Sequence, residues 1–159
     1  MNEVGNIVYR SNIIFKDTNL IDHKIGGHPT LTLHKSDDGI IYYMTITTNS
    51  GLKKYGHKLL RIGREKCNNL ENSYINLDYI YKTKDDGYGR TSLDFVSYNQ
   101  MTRIFEEIIK YFDKIRENDK DELTKEELDE IFFNALEYLK IYCPKRRKKI
   151  IEDLMLDID

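Results

Sequence analysis

The chain has 159 residues, 40% of them hydrophobic, with 12 Tyr and 6 Phe. That suits one domain with a packed core, and it excludes a disordered coil even though 33% of residues are charged. The net charge of −2 excludes a protein that coats nucleic acid through bulk charge alone, though not one with a local basic site.

Turn signals divide the N-terminal part into short strands. Candidates are Ile7–Tyr9, Thr30–His34, Ile40–Thr47, Tyr74–Tyr81 and a short one at Ser92–Val96. Gly26-Gly27-His28-Pro29 is expected to break the chain before the second strand. Thr30-Leu-Thr-Leu-His34 alternates polar and apolar, and Ser36-Asp-Asp-Gly39 predicts a hairpin turn into Ile40. Asp85 to Gly89 is a second turn cluster. Strands this short and this frequent predict a small, strongly bent sheet or barrel.

Near residue 97 the pattern changes to helix. Ser97 is the expected N-cap of a helix whose apolar face is Met101, Ile104, Phe105, Ile108, Ile109 and Phe112. After a charged break at Asn118 to Glu122, Thr124 and Glu127 form a capping box. The helix that follows shows Leu128, Ile131, Phe132, Ala135, Leu136 and Leu139 on one face. Pro144 opens a last helix. The reading is α+β, a single domain over 1–159, with 1–96 mainly β and the helices of 97–159 packed on it.

Cys67 and Cys143 belong to no CxxC motif, which points to a reducing compartment. No apolar h-region opens the chain and no run has the length of a membrane span. A cytoplasmic protein with no membrane partner is expected. His23 and His34 lack carboxylate partners at ligand spacing, so no metal or cofactor is expected.

Chemistry concentrates where the strand Ile40–Thr47 ends. Thr47, Thr48 and Ser50 carry hydroxyls, Lys53 and Lys54 carry cations, and His57 carries an imidazole. From Gly51 to Lys66 six cations face one carboxylate, a local charge of +5. Hydroxyls and lysines gathered at a strand end can hold a phosphate, and a histidine can move protons beside it. Those are the parts of metal-free RNA cleavage. Lys58, Arg61, Arg64 and Lys66 would extend a phosphate track. Tyr9 and Tyr55 would stack bases. The alternative is ordinary turn chemistry at Thr-Thr-Asn-Ser followed by a solvated lysine loop. Lys145 to Lys149 is a second basic run, either an RNA contact or a solvated helix start.

Gly27-His-Pro-Thr-Leu-Thr-Leu33, followed by a strand ending Ile46-Thr47-Thr48, resembles the PemK/MazF toxin pattern. Ile46-Thr47-Thr48, then Lys53-Lys54-Tyr55 and His57, is similar to the ToxN/AbiQ group of type III toxins and their CptN and TenpN relatives. Ile75-Asn76-Leu77-Asp78-Tyr79-Ile80 resembles that group's Ile-Asn-Leu strand. The short motifs are scattered over residues 5 to 115. The family arginine beside the proline is His28 here, and Asn49 and Ser50 are two extra residues before the lysine pair.

The resemblance implies a compact SH3-like β-barrel with a long helix and added C-terminal helices. It implies an endoribonuclease that leaves 2′,3′-cyclic phosphates on mRNA. A small repetitive RNA antitoxin would inhibit it, within a closed ring of protein and RNA. Thr47, Thr48, Lys53, Lys54, His57 and His28 are the implied catalytic set; which lysine and which histidine act stays open. Ser50, Tyr55, Lys58, Arg61, Arg64, Lys66 and Tyr9 are the implied RNA contacts. The rival readings are a PemK/MazF-type toxin with a protein antitoxin and an inert SH3-like module that binds RNA or protein.

Overall fold

The β-branched run Ile40–Thr47 forms β3, the strand to which three others attach in the computed structural model. The structure describes residues 3–16, 25–48, 56–63, 65, 70, 72–84, 89–120 and 122–158. By internal contacts the chain divides into Met1–Val96 and Ser97–Asp159. The first unit holds β1 (Asn6–Ile14), β2 (Ile25–Lys35), β3, β4 (Leu59–Ile62), β5 (Ser73–Asn76), β6 (Tyr81–Lys84) and β7 (Gly89–Phe95). The second holds α1 (Tyr98–Asn118), α2 (Lys125–Tyr142) and α3 (Pro144–Asp153). The fold is α+β, its sheet an antiparallel, curled half-barrel in the order β4-β5-β3-β2-β1-β7.

β3 is buried on both faces from Ile41 to Ile46. One edge pairs with β2, as Thr30↔Thr45, Leu31↔Met44 and Thr32↔Tyr43. The other edge is shared: Tyr43↔Tyr81 belongs to β6, and Ile46↔Ile75 to β5. From Tyr43 to Ile46 β3 advances three residues, whereas its partners advance six, from Ile75 to Tyr81. The surplus bulges out at Leu77–Ile80. The single strand predicted over Tyr74–Tyr81 is therefore two, with an irregular segment between them.

Other boundaries also differ from the sequence reading, among them the last strand, which is Gly89–Phe95 rather than Ser92–Val96. β4 lies inside the basic stretch, where the hydrophobic pattern predicts nothing. β1 runs on to Ile14 through an irregular register between Arg10 and Ile13. β2 begins at Ile25, so the Gly26–Pro29 segment lies within a strand rather than before it. Among the described residues β2 is paired at Pro29 on one side, by Tyr9 of β1, as suits a residue that cannot donate to a ladder on both. The Ser36–Gly39 turn closes as expected. The Gly39 N–H donates to the Ser36 carbonyl at 3.0 Å, with Gly39 at a φ of +81° that favours glycine.

In the second unit α1 and α2 form an antiparallel helical hairpin. Ser97 caps α1 by accepting from the Gln100 N–H, and Thr124 with Glu127 closes a reciprocal capping box on α2. The apolar face predicted for α1 is buried, together with Thr102 and Ile115. On α2 Phe132 is only half-buried, its ring tilted against Phe112. Between the helices the buried Asp119 carboxylate accepts from the Leu123 N–H at 2.8 Å. Among the described residues no helix is long and apolar enough to cross a membrane.

Ile46 is 1% exposed and pairs with Ile75, which is fully buried. Ile46→Ala removes that contact without room for collapse, and urea unfolding should show a loss of about 2–5 kcal/mol.

Candidate functional site

Paired residues on neighbouring antiparallel strands share a face, and residues two apart along one strand share it too. The ladder between β2 and β3 ends at Thr30↔Thr45. Beyond it, β2 stays paired with β1 down to Ile25, through the irregularity after Arg10, while β3 stays with β5 up to Thr47. His28 and Thr47 each lie two residues past the last rung, on the face of Thr30 and Thr45. They therefore stand on facing strands at the end of the shared ladder.

Arg10 of β1 is the direct cross-strand partner of His28. It is buried at 7% exposure, with its guanidinium carbon 5.0 Å from the centre of the Tyr43 ring. Tyr43 stacks on Tyr81 at 5.4 Å, and Ile13, Phe15 and Tyr79 pack around the pair. The Phe15 ring meets His28 edge-on at 5.0 Å. Lys16 closes the cluster. Its ammonium lies 5.0 Å from the Tyr81 ring centre and donates to the Ile80 carbonyl at 2.8 Å. Two cations lie over tyrosine rings in this one cluster. Burial pushes the Tyr43 hydroxyl up to about 12, although the nearby Arg10 charge pulls the other way.

Thr47 is half-buried and Thr48 exposed. Thr47 pairs with Tyr74, and Tyr74 pairs with Arg61 of β4. The three make a row across one face. Arg61 is exposed and donates to the Asn72 side chain at 3.3 Å.

His57 lies elsewhere, two residues before β4 and against the segment that follows β5. Its Nδ1 is 2.9 Å from Asp78 Oδ2, with side-chain exposures of 13% and 7%. The Lys58 N–H also reaches the Asp78 carboxylate, at 3.3 Å to each oxygen. The Leu77 N–H donates back to the Lys58 carbonyl at 2.9 Å, and the Asp78 N–H donates to Asn76 Oδ1 at 3.0 Å. Opposite a carboxylate in its ionised form, which only accepts, Nδ1 is the ring nitrogen that would carry the proton, with Nε2 left for other chemistry.

Of the residues singled out in the sequence, the structure sets His28 and Thr47 on the same face of neighbouring strands, each two residues past the last rung they share, with Thr48 following. It sets the His57–Asp78 pair past the end of β5, with Lys58 exposed beside it. Tyr9 alternates with Arg10 and so takes the opposite face from His28, its hydroxyl lying over Gly27. Ser50, Lys53, Lys54, Tyr55, Arg64 and Lys66 lie outside the described residues. Arg10 and Asp78 did not emerge from the sequence as site residues. The signal each carried was a charge inside an otherwise apolar strand pattern. Among the described residues no group of three or more His, Cys, Asp or Glu side chains could hold a metal ion.

Two outcomes follow from these environments. Tyr43 stays neutral to a higher pH folded than unfolded, so the stability it contributes is complete below pH 10 and is lost as pH rises through about 12. That loss should be on the order of 2 kcal/mol in urea melts, and Tyr43→Phe should remove most of it. Asp78→Ala leaves the His57 ring and the Lys58 N–H without their acceptor. It should cost about 1–3 kcal/mol at neutral pH, with Asp78→Asn costing less.

No protein-family model, no curated protein and no solved structure matches this chain.

Proposed function

We propose that this protein is a metal-independent endoribonuclease, the toxin of a type III toxin–antitoxin system. In this reading the curled sheet is an SH3-like barrel of the PemK/MazF kind. The enzyme cuts mRNA in the cytoplasm, and a small repetitive RNA holds it inactive in a closed ring of protein and RNA.

The observation that carries the reading is the pairing of Arg10 with His28 at the end of the ladder that leads to Thr47. The toxin pattern has an arginine beside the proline, where this chain has His28. Arg10 supplies a guanidinium from the adjacent strand. An imidazole, a guanidinium and a hydroxyl thus occur on three neighbouring strands.

The proposed reaction follows from these groups. His28 takes the proton from a ribose 2′-hydroxyl. The freed oxygen bonds to the adjacent phosphorus, and the bond from phosphorus to the 5′-oxygen breaks. Arg10 and one of Lys53 and Lys54 stabilise the charge that builds on the phosphoryl oxygens. The Thr47 and Thr48 hydroxyls orient the phosphate. A protonated group, His57 or the reprotonated base, delivers the proton to the departing 5′-oxygen. The products are a 2′,3′-cyclic phosphate and a free 5′-hydroxyl. Ser50, Tyr55, Lys58, Arg61, Arg64 and Lys66 contact neighbouring phosphates and bases.

The test is cleavage of a long mRNA, in EDTA, by protein stripped of nucleic acid, with the new ends mapped. Cyclic ends at a recurring short sequence are expected. His28→Ala should slow cleavage by about 10²–10⁴-fold, and Arg10→Ala and Thr47→Ala should also slow it. Cleavage that survives His28→Ala but is lost in His57→Ala would transfer the base role to the His57–Asp78 pair. Intact RNA that stays tightly bound would replace the enzyme with a binding module.

A further inference from the structure

The helical unit carries a column of aromatic rings that the nuclease reading leaves unused. Phe105 of α1 is buried, and Tyr138 of α2 tilts against it at 5.0 Å. Tyr142, the last residue of α2, lies 4.5 Å from Tyr138. Tyr98, the first residue of α1, stacks on Tyr142 at 4.5 Å and 11°. The column runs from the core to solvent, and its outermost ring, Tyr98, is 64% exposed. Tyr142 is its one ring neighbour among the described residues, so the outer π face is open.

Two residues after Tyr142 the chain enters α3, whose first turns read Pro-Lys-Arg-Arg-Lys-Lys. Five cations there oppose the helix dipole, which favours negative charge at an N-terminus. No acidic residue occupies that first turn, and Cys143 provides no side-chain cap. Arg146 reaches Glu106 of α1 at 3.5 Å, which ties the basic turn to the same helical hairpin. Lys145, Lys148 and Lys149 are exposed and make no ion pair among the described residues. The arrangement does nothing for helix stability. An open ring beside uncompensated cations matches a polyanion whose units carry flat rings.

We propose that the Tyr98–Tyr142 stack and the basic start of α3 form a docking surface for single-stranded RNA. A base stacks on Tyr98, and the lysines and the α3 N-terminus hold the flanking phosphates. The stack and the charges specify a single-stranded polynucleotide; the choice of RNA rests on the nuclease reading.

The test measures binding only. The full chain is titrated against a fluorescein-labelled 2′-O-methyl oligouridylate, which attack by a 2′-hydroxyl cannot cleave, and against the deoxy analogue. Tyr98→Ala should weaken binding by about tenfold, and Tyr98→Phe should not. The double variant Lys148→Ala, Lys149→Ala should weaken binding and flatten the log Kd against log salt plot by about 1.4. Circular dichroism melts confirm that each variant is folded. Unchanged affinity in Tyr98→Ala and in the lysine variant overturns the surface. Equal affinity for the deoxy analogue overturns the choice of RNA. Cleavage of unmodified mRNA, scored separately, reports on the nuclease reading alone.

Discussion

The sharing of one edge of β3 between two partners shapes the whole strand unit. A strand buried on both faces can be paired along its entire length only if each segment finds a neighbour. β6 takes the first part of that edge and β5 the last, and the surplus of three residues between them is taken up in the irregular segment Leu77–Ile80. That segment puts Asp78 where the Lys58 N–H and the His57 ring reach it. The same division frees the end of β3 from β2, so that His28 and Thr47 lie beyond their last common rung. Both polar centres of the strand unit thus derive from how the neighbours of β3 are arranged.

The two centres differ in what holds them. Arg10 and His28 sit on continuous strands, backed by rings: Tyr43 under the guanidinium and Phe15 at the imidazole edge. Their positions depend on apolar packing and are insensitive to salt. His57 is held by a single buried carboxylate that also secures the backbone of Lys58. Such a carboxylate orients an imidazole in one tautomer, at the cost of burying a charge.

Legibility in the sequence followed locality. β3 was readable over its full length because a strand buried on both faces is a continuous apolar run. The Ser97 cap and the Thr124–Glu127 box were readable because all their partners lie within three residues. β4 was hidden because four residues among basic neighbours carry no period worth counting. The interruption of Tyr74–Tyr81 was hidden because Leu77 and Ile80 are buried and keep the strand-like apolar pattern. The Gly26–Pro29 segment was misjudged because a break signal presumes a strand paired on both sides. At the candidate site Thr47 and His28 were readable by type and position. Arg10 and Asp78 were not, since each acquires its meaning from a partner 18 or more residues away.

The two attachments on β5 also have a bearing on how the protein can change. The chain is clamped at Thr47 by Tyr74 and again at His57 by Asp78, both set by the β5 strand and the bulge after it. Both anchors therefore answer to one short stretch of chain, and a change that loosens β5 and the segment after it releases Thr47 and His57 together.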